Sequence, residues 1–226
     1  MKAIYRNLLP AALMLLAAPL HAETVEDGRA WFNLTSEGDI TGKWRWYMEL
    51  QPRFKQEGRE FDQYMIRPGI NYKLTDHVIV GGGYGYVRTR TDQGHYTDED
   101  RIWQQVIYNM TWQDGVKFSS RSRLEQRFFD SGDDTGWRYR QLLRVSKPLA
   151  SLPSVSPVLW NEVFVNFRET DWGAQRGFDQ NRLFAGIAWT ATADARLEFG
   201  YLNQYVRGRA QDSMNHVLST SLLLNF

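Results

Sequence analysis

Residues 44–55 read Trp44-Arg45-Trp46-Tyr47-Met48-Glu49-Leu50-Gln51-Pro52-Arg53-Phe54-Lys55, and the period of this stretch is two. Trp44, Trp46, Met48, Leu50 and Phe54 alternate with Arg45, Tyr47, Glu49, Gln51, Arg53 and Lys55. A helix would scatter the two sets around its circumference, whereas a strand sends them to opposite faces. Residues 116–129 repeat the pattern, with Val116, Phe118, Leu124 and Phe128 on one side and Lys117, Arg121, Arg123, Glu125 and Arg127 on the other. Alternation recurs at 61–74, 76–89, 101–113, 137–147, 157–168, 178–190, 194–207 and 214–226, which brings the predicted strands to ten. Each run is about twice the length of a soluble strand, which averages about 5 to 6 residues. Tilted, such runs match the thickness of a hydrocarbon layer.

The two faces decide between a soluble sandwich and a barrel in lipid. One face of nearly every run is aromatic and aliphatic, while the other carries ionised groups that a sandwich core would not hold unpaired. A lipid-embedded barrel reverses inside and outside, so both faces find a medium that suits them. The connections point the same way. Short turns at Thr75-Asp76, Gln113-Asp114-Gly115 and Thr192-Ala193-Asp194 trade places with longer polar segments at 55–60, 90–100, 130–136, 169–177 and 208–213. The turn-side segment 148–156 is longer and holds Pro148 and Pro153. An eleventh run, Arg29 to Ser36, strains the count, because two chain ends on one side require an even number of crossings. It reads as a rim segment, or as half of a pair that would make twelve strands.

Residues 1–22 read as an address. Lys2 and Arg6 form a positive start, Leu8 to Leu16 an apolar core broken by Pro10, and Pro19 to Ala22 a cleavage site. That run is too short for a spanning helix, which needs roughly 20 residues, so a signal peptide is expected at 1–22 and a single barrel domain at 23–226. No cysteine occurs, which removes disulfides, thiolate chemistry and lipidated cysteine. With 27 basic against 26 acidic residues, no whole-chain charge favours nucleic acid, and none is expected as a partner. Aromatic residues make up 14% of a chain whose mean hydropathy is −0.51, a composition suited to a barrel and not to membrane helices.

Leu218, Thr220, Leu222, Leu224 and Phe226 share one face of the last run. This resembles the C-terminal assembly signal of outer-membrane barrels, and implies the barrel-assembly machinery as a partner. Asn161 to Asn166 (NEVFVN), Phe178 to Arg182 (FDQNR), Gly200 to Tyr205 (GYLNQY) and Asn215-His216 together resemble a bacterial outer-membrane β-barrel family of unknown function, domain-of-unknown-function family 2490. The likeness runs from about Trp31 to Phe226. It implies a fold and a place in the outer membrane, and no catalytic residues.

With the polar face inward, Arg45, Arg53, Arg67, Arg121, Arg123, Arg127, Arg138, Arg140, Arg144, Arg168, Arg182 and Arg196 face the lumen with Glu49, Glu125, Glu162 and Glu198. Ten strands tilted at about 40° enclose a radius of roughly 10 Å, so opposing side chains nearly meet. Two readings follow: a filled core of guanidinium–carboxylate pairs, or a narrow path favouring anions. The lumen-facing candidates are Arg121, Arg123, Glu125, Arg140, Arg144, Glu162 and Arg182, with Arg121, Arg123, Arg140 and Arg144 placed near the midline. Glu125 between Arg123 and Arg127 reads as a ladder along one face. Gly81, Gly83 and Gly85 point inward together, as a smooth wall that either admits a bulky neighbour or widens the lumen. Trp44, Trp46, Tyr64, Tyr72, Tyr84, Tyr86, Tyr108, Trp112, Trp189, Tyr201 and Tyr205 point outward as interfacial girdles.

For catalysis only His77, His95 and His216 remain beyond the leader. His216 pairs on paper with Ser219 or Ser221, but odd offsets of three and five place it on the other face of the strand. The expectation is therefore an all-β, antiparallel up-and-down transmembrane barrel in the outer membrane. It would contact outer-membrane lipid and lipopolysaccharide and act as a structural envelope protein or a narrow anion-favouring conduit. No cofactor, no metal and no enzymatic activity are expected. The alternatives are a lipid-modifying enzyme, or an adhesion module working through loops such as Thr91 to Asp100.

Overall fold

The computed structural model describes residues 24–91 and 93–226, so the leader expected at 1–22 lies outside the described residues. Eleven strands follow one another: β1 (Thr24–Thr41), β2 (Trp44–Lys55), β3 (Glu60–Lys73), β4 (Val78–Arg90), β5 (Tyr96–Thr111), β6 (Lys117–Phe129), β7 (Gly136–Ser146), β8 (Val155–Asn166), β9 (Gly177–Thr190), β10 (Ala195–Val206) and β11 (Asp212–Asn225). Each pairs with its sequence neighbours and β1 closes on β11, giving a closed barrel. Strands β2 to β11 correspond to the ten runs read from the sequence.

The eleventh is the run at Arg29–Ser36, which is the middle of a full wall strand and not a rim segment. Its place resolves the parity problem. An even count is required only when the first and last strands are antiparallel; here β1 runs parallel to β11, with Thr24 beside Asp212 and Glu37 beside Asn225. Thr24 therefore sits at the rim carrying loops 56–59, 91–95, 130–135, 167–176 and 207–211, while Phe226 sits at the opposite rim among the turns. An odd number closes without conflict. The polar segment 90–100 is mostly not a loop, because β5 begins at Tyr96 and Glu99 and Arg101 already face inward.

The outward faces are apolar along the middle of the wall, where Leu50, Ile66, Ile102, Val106, Leu159, Leu183, Ile187 and Leu218 lie exposed. Aromatic rings gather toward both rims. At the turn rim Trp44 packs on Tyr72 at 4.8 Å and Trp46 stacks on Phe226 at 6.2 Å. At the loop rim Phe32, Phe54, Phe61, Tyr64 and Tyr86 form a chain of ring contacts about 6 Å apart. Polar groups that interrupt this face bond to one another: Gln104 and Gln126 exchange amide bonds of 3.1 and 3.2 Å, and Tyr139 and Ser122 both donate to Gln141. Leu218, Thr220, Leu222, Leu224 and Phe226 lie on the outward face of β11.

The core is the inside of the barrel, and its two halves differ in chemistry. Trp31, Val158, Phe184, Ala188, Leu202 and Val217, from β1 and β8 to β11, form an apolar cluster with Trp160 packed against it. The wall opposite is charged. Each half depends on glycines that let an aromatic ring lie flat on the backbone. A Cβ on Gly83 would stand 2.2 Å from the Pro68 carbonyl oxygen and 2.8 Å from Trp103, and one on Gly200 would stand 2.8 Å from Phe184. Gly83, with Gly69 of β3, thus seats Trp103, which is fully buried, while Gly81 lies against Asn71 and Gly85 beside Arg101 and Arg67, so these glycines admit bulky neighbours and do not widen the lumen.

Candidate functional site: the charged interior

Strand register creates the charged half. Antiparallel pairing sets Glu125 of β6 beside Trp103 of β5 and Arg138 of β7, and sets Arg182 of β9 beside Glu162 of β8. Inward positions two apart then stack these groups toward the barrel axis. Glu125, with no exposed surface, accepts bonds from Arg138 at 2.7 Å and Arg140 at 2.7 Å. Arg140 also reaches Glu162 at 2.8 Å, and Arg121 joins that carboxylate at 2.9 Å. Across the lumen Arg67 donates to Glu49 at 2.7 Å, Tyr47 donates to the same oxygen at 2.6 Å, and Arg67 stands 4.0 Å from Glu125. Glu99 is gripped by the forked guanidiniums of Arg101 and Arg127. The result is a web running from β2 to β9 through the centre of the barrel.

Of the residues singled out by sequence, Arg121, Arg123, Glu125, Arg140, Glu162 and Arg182 meet in or beside this web. Arg144 does not: it lies two residues from the turn-side end of β7 and pairs with Glu198 there. Arg168 is outside the lumen altogether, on the loop after β8, bonded to Asp134 at 2.8 Å. The ladder along β6 is absent as well. Arg127 serves Glu99, and Arg123 bonds Gln105 at 2.7 Å and stacks over Trp103 at 4.6 Å, because strand tilt aims neighbouring same-face side chains at different partners. His216 faces outward, 2.6 Å from the Tyr201 hydroxyl, while Ser219 and Ser221 line the interior.

Sequence reasoning missed Glu99, which fell in the presumed loop 90–100, and did not count Arg101, which opens the run 101–113, among the lumen residues. The signal was present, since Glu99, Arg101, Trp103 and Gln105 continue the period of two. It also missed the apolar cluster that Val158, Phe184, Ala188, Leu202 and Val217 form with Trp31 inside the barrel.

A cavity of about 700 Å³ threads around the web, and a second of about 590 Å³ opens at the loop rim. Arg29, Asp62, Ser213 and Asn215 line both, so the two adjoin on the side of β1, β3 and β11 across the Arg29–Asp62 pair. On the side of β6 to β9 the rim is covered. Trp172, from loop 167–176, stacks on Phe129 at 4.5 Å above the Arg127 guanidinium and donates its indole N–H to the Asp134 carbonyl at 2.7 Å.

The model of the family described as "Protein of unknown function (DUF2490)" matches residues 28–215. The chain belongs to this DUF2490 family. A relative, an uncharacterized protein of Methylorubrum extorquens, is 37% identical over 226 residues, which cover 98% of this chain and 99% of that one. The DUF2490 match begins within β1 and ends within β11, so it takes in the web, the Trp172 cover and all of the apolar cluster except Val217.

Proposed function

We propose that this DUF2490 protein is an outer-membrane barrel closed at mid-height by its own side chains, a non-conducting envelope protein. The observation that carries the reading is Arg140 bridging Glu125 and Glu162 in a web with Arg138, Arg121 and Arg67, where Glu125 has no exposed surface. A water-filled path would leave such groups hydrated. Support for the membrane comes from the apolar outer belt between two aromatic zones and from the mutual hydrogen bonding of the few outward polar groups. In this reading the barrel has no catalytic role, since His216 and the nearby serines occupy opposite sides of the wall.

Reconstitution into planar bilayers should show no sustained single-channel current, and discrete conductance steps would overturn the sealed lumen. Glu125→Gln strands Arg138 and Arg140 without their shared carboxylate; removing one partner of a buried pair costs about 3–5 kcal/mol, so this variant should unfold at lower denaturant concentration. Recovery of the processed chain as a detergent-free monomer outside envelope fractions would defeat the membrane placement.

A further inference from the structure

Above the web, on the side of the loop rim, two buried cations have no carboxylate hydrogen-bonded to them among the described residues. Arg53 and Trp31 are direct register partners on β2 and β1, and the Arg53 guanidinium lies 4.0 Å from the centre of the indole ring. Arg182 reaches the same ring from β9, across the lumen, at 5.0 Å. Both guanidiniums are about nine-tenths buried. Among the described residues, Arg53 bonds the neutral amide oxygens of Gln51 and Gln63. The carboxylate nearest Arg182 is Glu162, at 3.9 Å, and that group is already bonded by Arg121 and Arg140. Among the described residues, Arg182 Nε and Trp31 Nε1 are buried without a hydrogen-bond partner. All three side chains line the 700 Å³ cavity.

Two enclosed guanidiniums, one with no carboxylate within 4 Å among the described residues and the other only 3.9 Å from a carboxylate already bonded twice, lie beside an unused indole donor and make an electrostatic deficit of defined shape. Cation–π contact with Trp31 offsets part of it, but it does not supply an oxygen to Arg182 Nε or Trp31 Nε1, nor a negative charge to Arg53. The complement is a group with at least two negatively charged oxygens, because each guanidinium presents paired donors in a plane. Arg29, which lines both cavities, is already held by Asp27 at 2.9 Å and Asp62 at 2.8 Å, so the uncompensated cations are the two deeper ones.

We propose that the chamber is a binding site for a small soluble oxyanion, a carboxylate or a phosphate, held between Arg53, Arg182 and the Trp31 indole. The proposal rests on the barrel's interior and not on electrical silence, so it stands or falls separately from the sealed-lumen reading. It makes the upper half of the interior a receptor cup, with the web as its floor.

The test uses the processed full-length chain folded in detergent, titrated with inorganic phosphate or with acetate at constant ionic strength set by sodium chloride. Heat release and the temperature of thermal unfolding are both followed. Saturable binding of phosphate or acetate is expected, with a rise in unfolding temperature that chloride alone does not give. The phosphate and acetate arms tell which oxyanion the cup prefers. Arg53→Gln and Arg182→Gln should each weaken binding at least tenfold, and Trp31→Phe, which keeps a ring and removes the N–H, should weaken it severalfold. Folding of each variant is read by heat-modifiable migration on a gel. If one arginine variant fails to fold, the other, on a different strand, carries the comparison. Absence of saturation beyond the chloride control, or affinity unchanged in the folded variants, overturns the site.

Discussion

Gly83 and Trp103 are Cα partners on β4 and β5, and the indole lies across the glycine and donates its N–H to the Tyr84 carbonyl at 3.0 Å. A methyl at Gly83 would meet fixed backbone, the Pro68 oxygen at 2.2 Å and the Gly69 Cα at 2.6 Å, so neither neighbour can swing aside. Gly83→Ala should therefore lower stability by about 3 kcal/mol, the upper range for overpacking. Gly85 lies two residues on, with the same inward direction. A methyl there meets nothing closer than the Arg101 Cβ at 3.6 Å, so Gly85→Ala should change stability by less than about 1 kcal/mol. Urea unfolding in detergent micelles separates the two, and equal midpoints would refute the seat. The spacing of Gly81, Gly83 and Gly85 made their shared direction legible in the sequence. That Gly83 alone of the three receives a ring, and that the ring is Trp103, was not legible, because that depends on the register between β4 and β5. The charged web divides in the same way. Alternation alone finds Arg121, Arg123, Glu125, Arg140, Glu162 and Arg182, while the partner of each is set by tilt and by groups reaching across the lumen.

Among the elements, loops 130–135 and 167–176 hold each other at the covered side of the loop rim. The Asp171 carboxylate accepts the backbone N–H of Asp133 at 2.8 Å and of Asp134 at 3.3 Å, while Asp134 receives Arg168 and the Asp171 N–H. Those backbone donors hold the Asp171 pKa below its ordinary 3.8. A carboxyl group depressed in the folded state stabilises the clasp fully above that ordinary value and ceases to do so as pH falls through the lower one. Amide exchange at 133–134 should stay slow from neutral pH to about 4, after allowance for intrinsic rates, and accelerate below it. Asp171→Asn should show the fast exchange at neutral pH, with the barrel strands unaffected. Exchange in the variant indistinguishable from wild type would mean that Trp172 stacking alone holds the cover. That the β8–β9 connection is long could be read from its composition. That it folds back over the lumen could not, because its anchors are backbone groups of another loop, and backbone donors leave no mark in a sequence.

At the scale of the whole molecule, the closing pair decides which parts of the chain share a rim. Sequence periodicity found every wall strand but assumed antiparallel closure, and that assumption turned Arg29–Ser36 into a leftover. The backbone hydrogen bonds show why parallel closure holds: a long first strand pairs over fourteen positions with β11, from Thr24 beside Asp212 to Glu37 beside Asn225, and with β2 on its other edge. Both edges of β1 are thus paired along most of their length, which leaves the barrel no open edge. The topology makes a prediction that does not depend on which rim faces the cell exterior. Because the chain has no cysteine, single substitutions give unambiguous labelling sites. Val25→Cys at the start of β1 must behave like Arg59→Cys in the β2–β3 loop and opposite to Ala193→Cys in the β9–β10 turn. A maleimide that cannot cross the membrane, applied to intact cells and then to cells with opened envelopes, reads each position. Antiparallel closure with an even number of strands would put Val25 with Ala193, so matched labelling of those two positions would exclude the eleven-strand barrel and, with it, the placing of Trp31 beside Arg53.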